Sequence, residues 1–427
     1  MVVGIVLLLL FVLLALGTPV GFSMAFAGAA GLLWVGSADV VAGVLQATPL
    51  TTVSSYELIT IPMFLLMAEF VLVSGVADDL FQAAAAWIGR IPGGLGMATA
   101  LAGAGFGAIC GTSTASAATL SATSLPAMLK QGYQPAMAAG VVAISGTLAM
   151  LIPPSVALVI FGLLAEVNIG KLLIGGVIPG ILVTLVIMTT VSVLVWQDPS
   201  RAPSAAPVPW RERFRLLKVV GPMLVLLAAV TGVIYTGIAT PTEASAIGAF
   251  GAFVLAITRR RLTFAALWAA LTRAAHGTCM IITILVGAHI FGYFFTLTEV
   301  TQGLIGWVGG LETSRWVVIA LLLSGYLILG SFMDQIAILV LTVPIVVPLV
   351  KSLGFDPLWF GVVKIVMAEI GMITPPIGLN CFIVARYSGR PVGEVFRGTM
   401  PHFFAQLAVV VLLTAFPSIV LWLPSRM

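Results

Sequence analysis

The sequence predicts an all-α polytopic membrane protein built from two repeats of inverted topology. Its composition is the first observation: 60% of the 427 residues are hydrophobic and only 8% are charged. Soluble domains carry about a quarter charged residues. The second observation is roughly ten apolar stretches near the ~20 residues that a helix needs to cross a bilayer. These stretches do not alternate polar and apolar residues, which argues against a membrane β-barrel.

A repeated proline pattern is the third observation and divides the chain into halves. The double proline Pro153-Pro154 recurs 222 positions later as Pro375-Pro376. The same offset pairs Pro19 with Pro241, Pro126 with Pro348, Pro135 with Pro357 and Pro179 with Pro401. Six matches at one offset among 24 prolines indicate an internal duplication.

Each half has the same predicted order of elements. Repeat 1 covers 1–196, a linker covers 197–217 and repeat 2 covers 218–427. The predicted segments, first half then second, are a helix (3–17; 218–236), a second helix (19–36; 241–257), a third helix (57–75; 276–297), an amphipathic stretch (76–90; 298–312), a hairpin (94–129; 316–352), a broken helix (134–167; 357–385) and a final helix (172–196; 401–423).

The two hairpins are predicted to enter the membrane and return on the same side. The polar run GTSTAS (111–116) and its counterpart GSFMD (330–334) each split an apolar stretch into two short arms. Arms of that length need not cross the whole hydrocarbon core. Non-helical backbone at mid-membrane depth is tolerated only where protein or a water-filled cavity surrounds it. The tips are therefore expected inside the protein.

The charge distribution predicts the orientation of the halves. Each half is predicted to cross the membrane five times. Because five is an odd number, the second half starts on the opposite side and is inverted relative to the first. The stretch 196–218, which includes the linker, carries five basic residues, and this predicts a cytoplasmic linker by the positive-inside rule. Both termini then face the opposite side of the membrane.

The double prolines predict binding sites within the membrane. Proline removes a backbone donor and clashes with the preceding turn, so two in a row open a helix and expose carbonyl oxygens. Such oxygens suit a monovalent cation, and the N-termini of half-helices attract a carboxylate. The repeat predicts two pseudo-symmetric cation sites flanking one substrate site. The alternative is that the prolines only kink their helices.

Several ordered motifs resemble the large membrane subunit of tripartite ATP-independent periplasmic (TRAP) transporters. The resemblance covers about 1–423 and rests on FGAICGTSTASAA, GYQPAMAAGVVAISGTLAMLIPPS, EVNIGKLLIGGVIPG, GIATPTEASAIGA, GSFMDQIAILVLTVPIVVP and GMITPPIGLN. It implies an elevator-type importer in the bacterial inner membrane, with periplasmic termini, driven by Na⁺. The implied substrate is a small organic acid such as a C4-dicarboxylate, keto acid, sugar acid or sialic acid. The implied partners are a periplasmic binding protein and a small membrane subunit on a separate chain.

The resemblance also implies site residues. It assigns the first sodium site to Gly111, Ser113, Ser116, Gly146 and Pro153, the second to Gly330, Asp334, Gly371 and Thr374, and substrate contacts to Thr114, Ser155 and Asn380. The chain departs from the family pattern at Ala149, where glycine is expected, although the equivalent Gly371 is present.

Other polar residues have competing interpretations. Asp334 could serve only as the cap of the second arm of its hairpin. Glu69 is expected to pair with another scaffold residue or with the small subunit. Lys364 and Glu369 are expected to balance charge rather than bind an anion. Glu243 follows a Thr-Pro pair at a helix start, where a carboxylate suits the helix dipole.

Two other classes of function compete with this interpretation of the sequence. A carrier of related fold that works alone, coupled to sodium or protons, remains compatible with the repeat. An enzyme is disfavoured because the chain has neither an HExxH nor a GxSxG motif and no second aspartate near Asp334 in sequence. No nucleic-acid partner is expected, no metal other than sodium is implied, and the three histidines show no metal-ligand spacing.

Overall fold

The computed structural model describes residues 1–310 and 313–427, and it confirms the all-α class. These residues form α-helices and short 3₁₀ turns, with no β-strand among them. The helices are α1 (Val2–Ala15), α2 (Val20–Val35), α3 (Ala38–Val53), α4 (Thr60–Ser74), α5 (Val76–Ile88), α6 (Gly94–Cys110), α7 (Ser113–Lys130), α8 (Pro135–Thr147), α9 (Val156–Ala165), α10 (Ile169–Gly175), α11 (Val177–Gln197), α12 (Trp210–Tyr235), α13 (Pro241–Thr258), α14 (Phe264–Leu297), α15 (Val300–Gly309), α16 (Arg315–Phe332), α17 (Gln335–Ser352), α18 (Pro357–Gly371), α19 (Leu379–Ser388), α20 (Val392–Ala415) and α21 (Ser418–Leu421).

The described residues contain eight helices that are long and apolar enough to cross a membrane. The first hairpin arm α6 and the broken-helix halves α8 and α9 are apolar but shorter. This is the pattern expected of a multi-pass membrane protein in which some segments stop at mid-depth.

The hairpins and breaks fall at equivalent places in the two halves. Helix α7 covers 113–130 and α17 covers 335–352, the same bounds shifted by 222 positions. Helices α8 and α18 begin at the equivalent prolines Pro135 and Pro357. Both Pro-Pro peptide bonds are cis. The domain boundaries and the opposite orientation of the halves remain predictions.

The structure corrects several predicted bounds. It adds α3, a helix with the Ser37 cap in a segment for which no helix was predicted. Helix α14 begins at Phe264 rather than 276, because the Thr263 side chain accepts a hydrogen bond from Ala266 N. Helix α20 begins at Val392, so Pro401 lies inside it and not at its start. Prolines are tolerated inside membrane helices, where neighbouring groups satisfy the freed backbone. Of the predicted amphipathic stretch 298–312, residues 311 and 312 lie outside the described residues.

The broken helices form the centre of the larger of two packed groups of helices. Every residue of α18 from Leu358 to Gly371 is buried, as is every residue of α8 from Met137 to Thr147. Helix α8 packs against α6, α7 and α20, and α18 packs against α16 and α20. In the smaller group α2 packs on α14 and α4 packs on α13 and α14. Helix α5 contacts α6 of the larger group and α12 of the smaller one.

Helices α8 and α20 cross in backbone contact. A Cβ placed on Gly140 would collide with the backbone of Gly398, and one placed on Gly398 would collide with the carbonyl of Ala136. Small residues allow membrane helices to approach closely, which adds van der Waals contact where no hydrophobic force acts between helices. This crossing fixes the first half of the broken helix against the second repeat.

Replacing Gly398 with alanine should therefore destabilise the fold. The added methyl group would push α8 and α20 apart, at a cost of about 1–3 kcal/mol for overpacking. The midpoint of thermal unfolding in detergent should fall. Gly221→Ala in α12 is the matched control, because a Cβ there has nothing within 4 Å. Equal midpoints for the two variants would contradict the close crossing.

Candidate ion and substrate site

The first hairpin turns at a left-handed glycine. Helix α6 ends at Gly111, whose φ of +65° favours glycine over residues with a side chain. A Cβ at this position would lie 2.8 Å from Val156 Cγ2 at the start of α9. Thr112 is extended, and α7 begins at Ser113. The turn therefore places the N-terminus of α7 beside the break between α8 and α9.

The hydroxyl groups of this tip are buried. Ser113 and Ser116 are both fully buried, and Thr114 between them is half-buried. Ser116 Oγ has no hydrogen-bond partner in the described part of the chain. A Cβ on Gly146 of α8 would lie 2.8 Å from Ala117 Cβ, so the two helices are close beside Ser116. Three of the five residues predicted for the first sodium site, Gly111, Ser116 and Gly146, thus lie where the hairpin tip meets α8 and the start of α9.

The Pro-Pro break separates α8 from α9 and is held by Ser155. The Ser155 hydroxyl donates to Met150 O and accepts from Leu158 N at 3.3 Å. Ser155 is fully buried. Because its hydroxyl donates and accepts at the break, Ser155 is a capping residue in this structure. Its substrate contact remains a prediction. Pro153 is buried within the same break.

The second hairpin tip lies against α18. A Cβ on Gly371 would lie 2.6 Å from Gly330 Cα, so α16 and α18 touch through their backbones. Gly330 belongs to the last turns of α16 and not to the connection between the arms. The equivalent crossing in the first half uses Gly107 against Ala149, where a Cβ on Gly107 would lie 2.8 Å from Ala149 Cα. The second-half crossing has a glycine on both helices, whereas the first-half crossing has one only on the hairpin arm, where Gly107 leaves room for the backbone of Ala149.

Asp334 caps the second arm. Its Oδ2 accepts a hydrogen bond from Ile336 N at 3.0 Å, which confirms the capping interpretation. The same side chain has a second carboxylate oxygen, so capping does not use its whole capacity. Thr374 Oγ1 donates to Ile370 O at 2.6 Å within its own helix turn.

Two contacts join the halves at this centre. Ser113 Oγ donates to Met372 Sδ at 3.5 Å, across 259 positions of sequence. Asn380 Nδ2 donates to Ala143 O at 3.5 Å, and Asn380 N donates to Met372 O at 3.1 Å. Asn380 Oδ1 has no partner among the described residues. The first hairpin and both broken helices therefore meet around Met372.

The smaller group of helices contains the ion pair predicted for Glu69. Arg273 Nε donates to Glu69 Oε2 at 2.7 Å, which joins α4 to α14.

Thr240 and Glu243 form a capping box at the start of α13, which confirms the interpretation of Glu243 as a helix-start residue.

The sequence analysis missed a polar cavity between the two groups of helices. It has a volume of about 550 Å³ and lies between α3 and α14 on one side and α9 and α17 on the other. His289 Nδ1 and Thr52 Oγ1 are 2.9 Å apart on its wall. Thr48, Thr51 and Ser55 also line it, with the acids Glu57 and Glu166. The run ATPLTTVSS (47–55) was the available signal, since a helix brings such hydroxyls to one face.

The described residues contain no group of three or more His, Cys, Asp or Glu side chains arranged to hold a metal ion. The polar groups at the hairpin tips are hydroxyls, an amide and single carboxylates, which are ligands for hard cations rather than for transition metals.

The family model of the tripartite ATP-independent periplasmic transporter, DctM component, matches residues 7–419. The chain belongs to this family. It is the large membrane subunit of a TRAP transporter, and thus a transport protein rather than an enzyme.

Two curated relatives support this membership, and one solved structure shares the fold. The C4-dicarboxylate TRAP transporter large permease protein DctM of Pseudomonas aeruginosa is 34% identical over 375 residues, covering 88% of this chain and 87% of that protein. The isethionate TRAP transporter permease protein DctMQ of Oleidesulfovibrio alaskensis is 30% identical, covering 95% of this chain and 64% of that protein. The YdaH transporter of Alcanivorax borkumensis, whose crystal structure is described as having an unusual topology, has the same fold, with a TM-score of 0.64 over 88% of each chain at 15% identity.

The unpartnered hydroxyl of Ser116 gives a stability prediction. Ser116→Ala removes no hydrogen bond, so the midpoint of thermal unfolding in sodium-free detergent solution should stay the same or rise. Ser124→Ala in the same helix is the control, because Ser124 Oγ donates to Leu120 O at 2.8 Å. The loss of this hydrogen bond should lower the free energy of unfolding by about 0.5–1 kcal/mol. A larger loss for Ser116→Ala than for Ser124→Ala would show that Ser116 has a structural partner.

Proposed function

We propose that this TRAP large permease couples the import of a small organic acid to a sodium gradient. The observation that carries the proposal is the convergence of the first hairpin and both Pro-Pro-broken helices at Met372, with buried oxygen atoms around it. Discontinuous helices near the middle of the membrane are where inverted-repeat transporters bind substrate and coupling ions.

The donor atoms at the tips fit sodium. Na⁺ is a hard cation that takes oxygen ligands, and the Pro-Pro breaks free backbone carbonyls beside the buried serines. We assign Gly111, Ser113, Ser116, Gly146 and Pro153 to a first site and Gly330, Asp334, Gly371 and Thr374 to a second. The free Ser116 hydroxyl supports the first assignment, and the carboxylate of Asp334 supports the second.

A carboxylate substrate fits between these sites. Helix α7 presents its N-terminal turn at the tip, where backbone N–H groups favour an anion. Thr114 in that turn and the buried amide of Asn380 are the substrate candidates. The relatives in Pseudomonas and Oleidesulfovibrio are named for C4-dicarboxylate and isethionate, which are both small organic anions.

The division into two groups of helices supports a proposal of alternating access. In our proposal the group with the hairpins and broken helices moves as an elevator against the group with α1–α4 and α12–α14. The cavity between α3, α14, α9 and α17 lies along the boundary at which the two groups would slide. Its hydroxyls and His289 give a polar path for a carboxylate.

The location and partners complete the proposal. We place the chain in the bacterial inner membrane with the linker in the cytoplasm and both termini in the periplasm. A periplasmic binding protein delivers the substrate, and a small membrane subunit on a separate chain packs against the smaller group of helices. This chain covers 64% of the length of the isethionate relative, which is named DctMQ.

The test is uptake of radiolabelled organic acids into proteoliposomes that contain this chain and its small subunit. Uptake should require both an inward sodium gradient and the cognate binding protein. Sodium-driven uptake without the binding protein would favour the self-sufficient carrier. A proton gradient that replaces sodium fully would refute sodium coupling.

Two substitutions of Asp334 separate its role as a helix cap from the role of its negative charge. Asn caps helices as well as Asp does, so Asp334→Asn should keep thermal stability but lose most sodium-dependent uptake. Asp334→Ala should lose both, with the cap worth about 1 kcal/mol. Thermal unfolding and initial uptake rates measure the two effects. Normal uptake by Asp334→Asn would exclude a charged role for this residue.

A further inference from the structure

The polar cavity between the two groups of helices has the size and the lining of a ligand site. Its volume is about 550 Å³, and pockets for small ligands measure roughly 300–1,000 Å³. The smaller group contributes α3, the 3₁₀ turn before α4, and α14. The larger group contributes the end of α9 and Pro344 of α17. A ligand in this cavity would therefore touch both groups at once.

Hydroxyl groups from α3 and its neighbours line part of the cavity. Thr48 is only 2% exposed, and its Oγ1 has no hydrogen-bond partner in the described part of the chain. A buried polar atom without a partner costs free energy, so such atoms are rare in folded proteins and call for an explanation. The lining also contains the hydroxyl groups of Thr51, Ser55, Thr296 and Thr301.

His289 of α14 adds an imidazole to these hydroxyls. Its Nδ1 lies 2.9 Å from Thr52 Oγ1, which leaves Nε2 for a ligand. When Thr52 donates to Nδ1, the hydrogen of the neutral ring is on Nε2 and can be donated to a carboxylate. Within 1–310 and 313–427, no lysine or arginine lines the cavity. The lining thus offers donors for one carboxylate but no permanent positive charge for a second.

The cavity also has two glutamates, one from each group of helices. Glu57 lies in the 3₁₀ turn before α4, and Glu166 directly follows α9. Neither forms an ion pair with another described residue. An ionised carboxylate only accepts hydrogen bonds, so these two side chains need donors from a ligand. They also repel a ligand that carries two negative charges.

Glu166 lies where the local backbone disfavours it. Its φ is +53°, in the left-handed region that residues with a side chain rarely adopt. Glycine or asparagine usually occupies such a position after a helix. A negative charge at the C-terminus of α9 also opposes the helix dipole. The stability of α9 gains nothing from this glutamate, whereas a role in the cavity that it lines accounts for its presence.

We infer that this cavity binds a polyhydroxylated monocarboxylate, the chemistry of a sugar acid, and that Glu57 and Glu166 select it by accepting hydrogen bonds from its hydroxyl groups. The carboxylate of the ligand meets His289 and the threonine hydroxyls of α3. Tyr293, four residues after His289 on α14 and 50% exposed, offers its ring to the carbon-bound hydrogens of the ligand. The inference rests on the proposed import of an organic acid and narrows its substrate class.

The experiment compares six-carbon acids that differ in one property. D-Gluconate carries hydroxyl groups, hexanoate carries none, 6-aminohexanoate adds an ammonium group and adipate adds a second carboxylate. Equilibrium binding of radiolabelled D-gluconate is measured on the full-length chain with its small subunit in lipid nanodiscs. The buffer contains sodium chloride and no binding protein, and each of the other acids is added as a competitor.

D-Gluconate should bind, and the other acids should compete poorly. Hexanoate should be at least about a hundredfold weaker, because a site that hydrogen-bonds substrate hydroxyls rejects an analogue without them. Glu57→Gln and Glu166→Gln should each bind D-gluconate at least about tenfold more weakly, since hydrogen bonds to a charged group are the strong ones. Glu299→Gln is the matched control and should keep the wild-type affinity. Glu299 also has a left-handed φ, of +49°, but does not line the cavity.

Several results would overturn the inference. Adipate or hexanoate binding as tightly as D-gluconate would show that hydroxyl groups are not selected. Tighter binding of 6-aminohexanoate would assign the glutamates to an ammonium group. Wild-type affinity for D-gluconate in either glutamate variant would remove that residue from the site, and no binding of D-gluconate would exclude the ligand class. If Glu166→Gln does not fold, Glu57→Gln decides, since Glu57 is an exposed side chain.

A failure of the proposed function would look different. Binding of D-gluconate that depends on both glutamates, without sodium-driven uptake of any acid into proteoliposomes, would refute sodium coupling and support the cavity site. Sodium-driven uptake that the two glutamate variants leave unchanged, together with unchanged binding, would support the coupling and refute the inference.

Discussion

The structure depends on one constraint: in the hydrocarbon core, backbone N–H and C=O groups must find partners within the protein. Two hairpin turns and two double prolines violate the regular helix at mid-depth. They are stable only because other helices enclose them, and this is why nearly all residues of α8 and α18 are buried. To enclose these segments, neighbouring helices must pack with their backbones in contact. Glycine pairs such as Gly330 with Gly371 allow this close packing.

Polar side chains at the centre fall into two classes with different purposes. Ser155 and Asp334 satisfy backbone groups at the ends of interrupted helices and so maintain the breaks. Ser116, Gln335 and Glu369 are buried with no partner among the described residues. A membrane protein gains nothing in stability from the second class. In the proposed function, a transported ion or substrate would supply the interactions that Ser116 lacks.

The smaller group of helices shows how a duplicated sequence diverges in structure. The second half has a single continuous helix, α14, where the first half has α3, a 3₁₀ turn and α4. The ion pair of Glu69 with Arg273 joins these two unequal versions. The bend in the first half creates one wall of the cavity that holds Thr52 and His289. The asymmetry thus gives the boundary between the two groups a polar lining.

The sequence by itself determined the fold class, the hairpins and the breaks, because composition and proline spacing act locally on each helix. Motif order also sufficed to identify the TRAP family. The bounds of α3, α14 and α20 were not predictable, since a proline inside a helix and a new cap are tolerated only when neighbours compensate. Only the tertiary structure decided that Ser155 and Asp334 are caps at the interrupted helices. It alone brought Ser113 to Met372 and Asn380 to Ala143, because contacts across more than 200 positions depend on how helices cross and leave no periodic trace in the sequence.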